Sequence, residues 1–126
     1  MKDISQLIGI PYADMNCWEL ARRFYLDVFG VHLKHYFNEL PEDRMGKRDL
    51  IYTNRGDFAE VDYPQYGDLI LFSIRGVESH IGIWINDQQF LHSSRGIGSC
   101  IDRLERWKTH ITGYYGHTPG IRIKND

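Results

Sequence analysis

Two cysteines and six histidines are the side chains best suited to nucleophilic or acid–base chemistry, and three of them stand out by position. Cys17 opens the stretch CWELARRFY, where the apolar pattern of a helix begins. Exposed N–H groups and the positive end of a helix dipole lower a thiol pKa at such a place and favour the thiolate. His80 opens the alternating segment HIGIWI and has the chemistry of a general base. His92 lies near the middle of the next strand-like segment. A polar group there can hold a base in one tautomer and one orientation.

Each of the three also has a structural reading. A cysteine on the apolar face of a helix is more often core than nucleophile, and a histidine on a half-buried strand usually serves the fold. The local pattern leaves Cys17 open between thiolate and core. Cys100, in GIGSCID, has no helix start beside it and reads as a core thiol. A bridge between the two cysteines is possible but nothing demands it, and a single pair is not a disulfide framework. His32 and His35 could share a helical turn, and His110 and His117 flank ITGYYG, yet neither pair has a metal-ligand spacing. HExxH, paired CxxC and phosphate-binding glycine loops are all missing. Neither a metal nor a cofactor is expected.

Those three side chains must be placed by secondary structure. Residues 3–8 suit a short helix stopped by GIP. Asp14 or Asn16 can cap the next one, in which Cys17, Leu20, Ala21, Phe24 and Val28 follow helical spacing and Gly30 ends it. Pro41, Glu42 and Asp43 suit the first turn of a further helix running to about Asn54. After Gly56 the pattern becomes strand-like, with FAEV, LILFSI (69–74), HIGIWI (80–85), QQFLHSS and GSCIDRL. A short helix around LERW and late strands near HITGYY and GIRIK follow. Ile81, Ile83 and Ile85 fall on one face of their strand, with His80, Gly82 and Trp84 on the other. If residues 80–85 and 88–93 form a hairpin, a three-residue turn sets His92 opposite Gly82 and diagonal to His80, and the missing side chain at Gly82 leaves room for an imidazole. A two-residue turn puts His92 on the other face. Helices first and strands afterwards predict an α+β fold with an antiparallel sheet.

Composition narrows the class. The 126 residues suit one domain spanning 1–126, with 42% apolar and 25% charged residues. A net charge of −2, with acids close to the basic clusters RMGKR and RLERWK, argues against nucleic acid as a partner. The N-terminal stretch lacks the pattern of a signal peptide, and no apolar run approaches the ~18 residues of a membrane span. Synthesis in the cytoplasm and no membrane partner are therefore expected.

The order of motifs resembles the NlpC-type cell-wall cysteine peptidases of the papain-like superfamily. GIPY, NCWEL, PQYGDLILF, HIGIW and FLHSS match that family's segments in order, over about residues 7–94, with 31–62 less typical. GIGSCIDRLERWKTHITGYY and the tryptophan after Cys17 are similar to the phage tail-associated branch. The resemblance implies a papain-like NlpC-type fold, with N-terminal helices packed on a central antiparallel sheet. It implies hydrolysis of peptidoglycan stem peptides, between γ-D-glutamate and a diamino acid, through an acyl-enzyme. Carried over by motif, Cys17 is the nucleophile, His80 the base and His92 the residue that orients it. Tyr12 matches a family tyrosine of the oxyanion or substrate-binding region. Two departures stand out: Asn16 replaces the usual aspartate, and the loop from Tyr12 to Cys17 is shorter than usual. Residues 31–62 are expected to form a helix plus strand walling one side of the cleft. The implied setting is a virion tail acting on the cell wall, with other tail proteins as partners. The alternatives are a non-catalytic tail component, for which Trp107, Tyr114 and Tyr115 are candidate contact residues, a papain-like amidase or acyltransferase, an exported toxin, and a murein-recycling enzyme.

Overall fold

Asn16 starts the main helix, because its side-chain oxygen accepts from the backbone N–H of Glu19 at 2.9 Å while its carbonyl takes the Leu20 N–H. The first bond satisfies a donor that a helix start otherwise leaves bare, and the second is the first rung of the helix itself. The computed structural model describes residues 3–33, 58–74 and 76–117. Within them, α1 (Cys17–Phe24) runs into one wider π turn over Tyr25–Phe29 and stops at Gly30, whose φ of 69° is the left-handed conformation expected of a helix terminator. Residues Ser5–Leu7 make only a single 3₁₀ turn. The helix expected over 41–54 and the strand at GIRIK lie outside the described residues.

The strands are β1 (Phe58–Val61), β2 (Leu69–Ile74), β3 (Val77–Trp84), β4 (Gln89–Ser94), β5 (Gly98–Arg103) and β6 (Ile111–His117). They form one antiparallel sheet in the order β1-β6-β2-β3-β4-β5. A short α2 (Leu104–Trp107) and a 3₁₀ turn at Lys108–His110 link β5 to β6. The α+β class with helices on an antiparallel sheet is borne out. LILFSI is a central strand, as its unbroken apolar run predicts, and is buried at Leu69, Ile70, Leu71 and Phe72. β1, the strand within 31–62, is the edge opposite β5, and residues 34–57 of the expected wall lie outside the described residues. β1 stands at that edge because β6 returns between β1 and β2, a long-range pairing that local pattern does not encode.

Each face of the sheet carries its own core. On one, α1 and the turn after it set Trp18, Leu20, Phe24 and Tyr25 against Leu69, Leu71, Ile81, Ile83 and Leu91. On the other, Ile70, Phe72 and Phe90 are covered by Leu104, Trp107 and Ile111. The alternation of HIGIWI decides which residues face which layer. No helix among the described residues is long and apolar enough to cross a membrane.

Candidate active site

The hairpin of β3 and β4 has the three-residue turn, 86–88. Ile83 pairs with Leu91, Trp84 with Phe90, and the Ile85 N–H reaches the Gln89 carbonyl. Asn86 holds the turn by accepting from the N–H groups of Gln88 and Gln89, both at 2.9 Å. This register puts His80 and His92 on the α2 face. His80 Nε2 lies 2.8 Å from His92 Nδ1, a hydrogen bond between two nearly buried rings. The space over Gly82 does not hold an imidazole. A Cβ there would lie 2.8 Å from the Phe90 ring and 3.0 Å from that of Phe72, so the missing side chain makes room for two phenylalanines.

Aromatic rings fix the pair. Trp107 stacks over His80 at 5.8 Å between centroids and meets His92 edge-on at 5.3 Å, while Phe90 lies 4.5 Å from His92. Trp107 thus packs into the histidine pair, Tyr115 is buried in the main core, and Tyr114 is half-buried against the second. None of the three forms the exposed patch a docking surface needs. Their sequence spacing carried no sign of this, because α2 returns over the sheet.

His92 has a second partner. Its Nε2 lies 3.3 Å from Asp102 Oδ2, which also accepts from Trp107 Nε1 at 3.0 Å, while Asp102 Oδ1 takes the Arg103 N–H at 2.7 Å. Burial lowers the His92 pKa, against the opposing pull of the Asp102 hydrogen bond and charge. For Asp102, partial burial works upward, but hydrogen bonds from Arg103, Trp107 and His92 prevail and hold the carboxyl below its ordinary value. The sequence reading missed Asp102. Register counting would have found it: His92 pairs with Cys100, which sets Asp102 diagonal to His92 on the same face.

Cys17 is the first residue of α1 and is 2% exposed. The segment before it is tied to β4, since Ser93 Oγ donates to the Met15 carbonyl at 2.7 Å, and α1 packs on β3 and β4. The helix start is therefore held against the strand that carries His92. Cys100 is not the core thiol expected. It is half-buried on the His92 face, and burial together with the Asp102 charge pushes its pKa up. Neither cysteine is in a disulfide.

Tyr12 is placed by a strap. The Gly9 N–H donates to the Ser99 carbonyl, the Ser99 N–H to the Ile10 carbonyl, and the Ile10 N–H to Ser99 Oγ. Gly98 permits this approach, since its φ is +84° and a Cβ would lie 2.5 Å from the Ile10 oxygen. Beyond the strap, Arg95 sits 4.9 Å over the Tyr12 ring. Tyr12, Asn16 and Arg95 line a cleft of about 640 Å³, which borders the helix start. A larger concavity, about 740 Å³, lies between α2 and the 86–88 turn and contains neither histidine, so size does not mark the chemistry. His110 contacts the Ser73 carbonyl, and His117 is buried against Tyr25 and Phe58. Among the described residues, no three His, Cys, Asp or Glu side chains gather as a metal site.

Residues 7–115 match the NlpC/P60 family. The murein DD-endopeptidase MepS/murein LD-carboxypeptidase of Escherichia coli strain K12 is 29% identical over 105 residues, 82% of this chain and 50% of that protein. The counterpart of strain O157:H7 gives the same values. The chain thus spans about half the length of the curated relatives it matches. Among solved structures, the NlpC/p60 domain of the peptidoglycan hydrolase SagA superposes with a TM-score of 0.57 at 17% identity, covering 88% of this chain and 90% of that one. A Staphylococcus aureus Mu50 protein described as similar to lipoprotein, NLP/P60 family, gives 0.58 at 21% identity, covering 87% of this chain and 37% of that one.

Proposed function

This chain belongs to the NlpC/P60 family, and we propose that it is a cysteine peptidase that hydrolyses peptidoglycan stem peptides. The observation that carries the reading is the 2.8 Å contact between His80 and His92, beside a helix that begins at Cys17. In this reading Cys17 gives its proton to His80, and the thiolate attacks the amide carbonyl. The Cys17 N–H, at a helix start, stabilises the oxyanion, with the Tyr12 hydroxyl as a second donor. His80 returns the proton to the leaving amine as the C–N bond breaks, leaving the thioester. A water then loses its proton to His80, attacks the thioester and frees the acid and the thiol. His92 holds the orientation of His80 throughout.

For the bond, we take the linkage between γ-D-glutamate and the diamino acid. A second reading, cleavage at a D,D cross-link, is favoured by the similarity to the E. coli murein DD-endopeptidase. Digestion of purified diaminopimelate-type fragments by the protein and by Cys17→Ala, with products read by mass spectrometry, separates them. Peptides ending in D-glutamate support the first bond, and resolved cross-links with intact stems support the second. Loss of both products in Cys17→Ala, with circular dichroism unchanged, assigns the nucleophile. No product from the unaltered protein overturns the enzyme reading. We place the activity in a phage tail, on the similarity of residues 96–115 to the tail-associated branch. Absence of the chain from purified virions would refute that setting.

A further inference from the structure

We propose that Asp102 is a positioning residue that sets the direction of the protons along the His92–His80 chain and so keeps His80 Nδ1 unprotonated, as a base must be. The inference rests on the reading above that His80 takes the thiol proton. A carboxylate can only accept hydrogen bonds, and an indole N–H can only donate. Asp102 is held on one oxygen by the Arg103 N–H at 2.7 Å and on the other by Trp107 Nε1 at 3.0 Å. That second oxygen faces His92 Nε2 at 3.3 Å, so Nε2 is the nitrogen that carries the His92 proton. His92 Nδ1 is then a lone pair. The group 2.8 Å away, His80 Nε2, must be the donor, and neutral His80 is left with its lone pair on Nδ1.

Without an acceptor at Asp102, the chain reads equally well backwards. His92 Nδ1–H would donate to His80 Nε2, and His80 would carry its own proton on Nδ1, leaving that nitrogen no lone pair with which to take another. One carboxylate thus selects the working sense. The same sense also suits the next state, because protonated His80 still donates from Nε2 to His92 Nδ1. No ring has to turn over during the cycle, which is what a preorganised site requires. The 3.3 Å link is the longest of the three on the carboxylate. The two shorter ones fix where the acceptor stands.

The test reads the protons directly. Nitrogen-15 NMR of the histidine rings in the unaltered protein is expected to show His92 protonated at Nε2 and bare at Nδ1, with His80 protonated at Nε2. His92 protonated at Nδ1 would overturn the proposal without any variant being made. In Asp102→Ala the His92 signals should shift toward a mixture of tautomers, and kcat should fall on the order of 10- to 100-fold with KM little changed, as for other groups that orient an imidazole. Asp102→Asn can still offer an oxygen to Trp107 and His92, so it should restore the His92 Nε2 proton and most of kcat. An Ala variant with unchanged tautomer and rate would refute the role. If the protein cuts no wall peptide while its rings are protonated as stated, the enzyme reading fails, and the role of Asp102 is confined to the proton order along the two rings.

Discussion

At the residue scale, the protein separates groups of the same kind by their surroundings. His92 is kept neutral by burial, with its pKa below the ordinary 6.5. The unfolded chain therefore binds that proton more readily than the folded one, and stability rises with pH across the interval between the two values. Stability contributed by neutral His92 is present above about pH 6.5 and is lost as the pH falls through the folded pKa. Urea unfolding below that pH should show a steeper loss for the unaltered protein than for His92→Gln, whose side chain does not titrate. Equal slopes would mean that His92 is not held neutral. Cys17 and Cys100 differ in the same manner, one at a helix start and the other beside a carboxylate that disfavours its thiolate. Helical spacing made the position of Cys17 legible. The company of Cys100 was not, since it comes from strand pairing with His92.

At the element scale, short polar ties decide where the chemistry sits. Asn16→Ala removes the oxygen that caps α1, and should lower stability by about 0.5–2 kcal/mol in chemical denaturation. Ser93→Ala leaves the Met15 carbonyl without its buried donor, at a cost of about 1–3 kcal/mol. Because that bond ties the segment before Cys17 to the strand of His92, kcat should fall by more than the fraction unfolded accounts for. A rate that merely tracks the folded fraction would show that the tie serves stability alone. The helix, its cap and the face alternation of β3 were readable because they are local and periodic. The π turn at Tyr25–Phe29 was not, since it answers to packing of Phe24, Tyr25 and Phe29 against one another and Tyr66.

At the scale of the whole molecule, the sheet is served by two unequal layers, and the histidine pair belongs to the smaller one under α2. Its outer strand, β5, is covered by the strap at Gly9 and Ile10, which satisfies groups that an open edge would expose. Gly98→Ala should break that closure, since both the positive φ and the 2.5 Å approach to the Ile10 oxygen oppose a side chain. The expected result is faster amide exchange at Gly9 and Ser99 and weaker substrate binding, with β2 protection retained at the sheet centre. The NlpC/P60 fold was legible as an order of motifs, whereas the insertion of β6 between β1 and β2 was not, because nothing local records which distant strands will meet. Substitutions within the 86–88 turn are expected to be tolerated, whereas lengthening or shortening it by one residue is expected to abolish activity. Surface turns usually tolerate such indels. Here a single step would re-pair β4 on β3 and carry His92 through to the layer of α1, leaving an intact sheet and a silenced site.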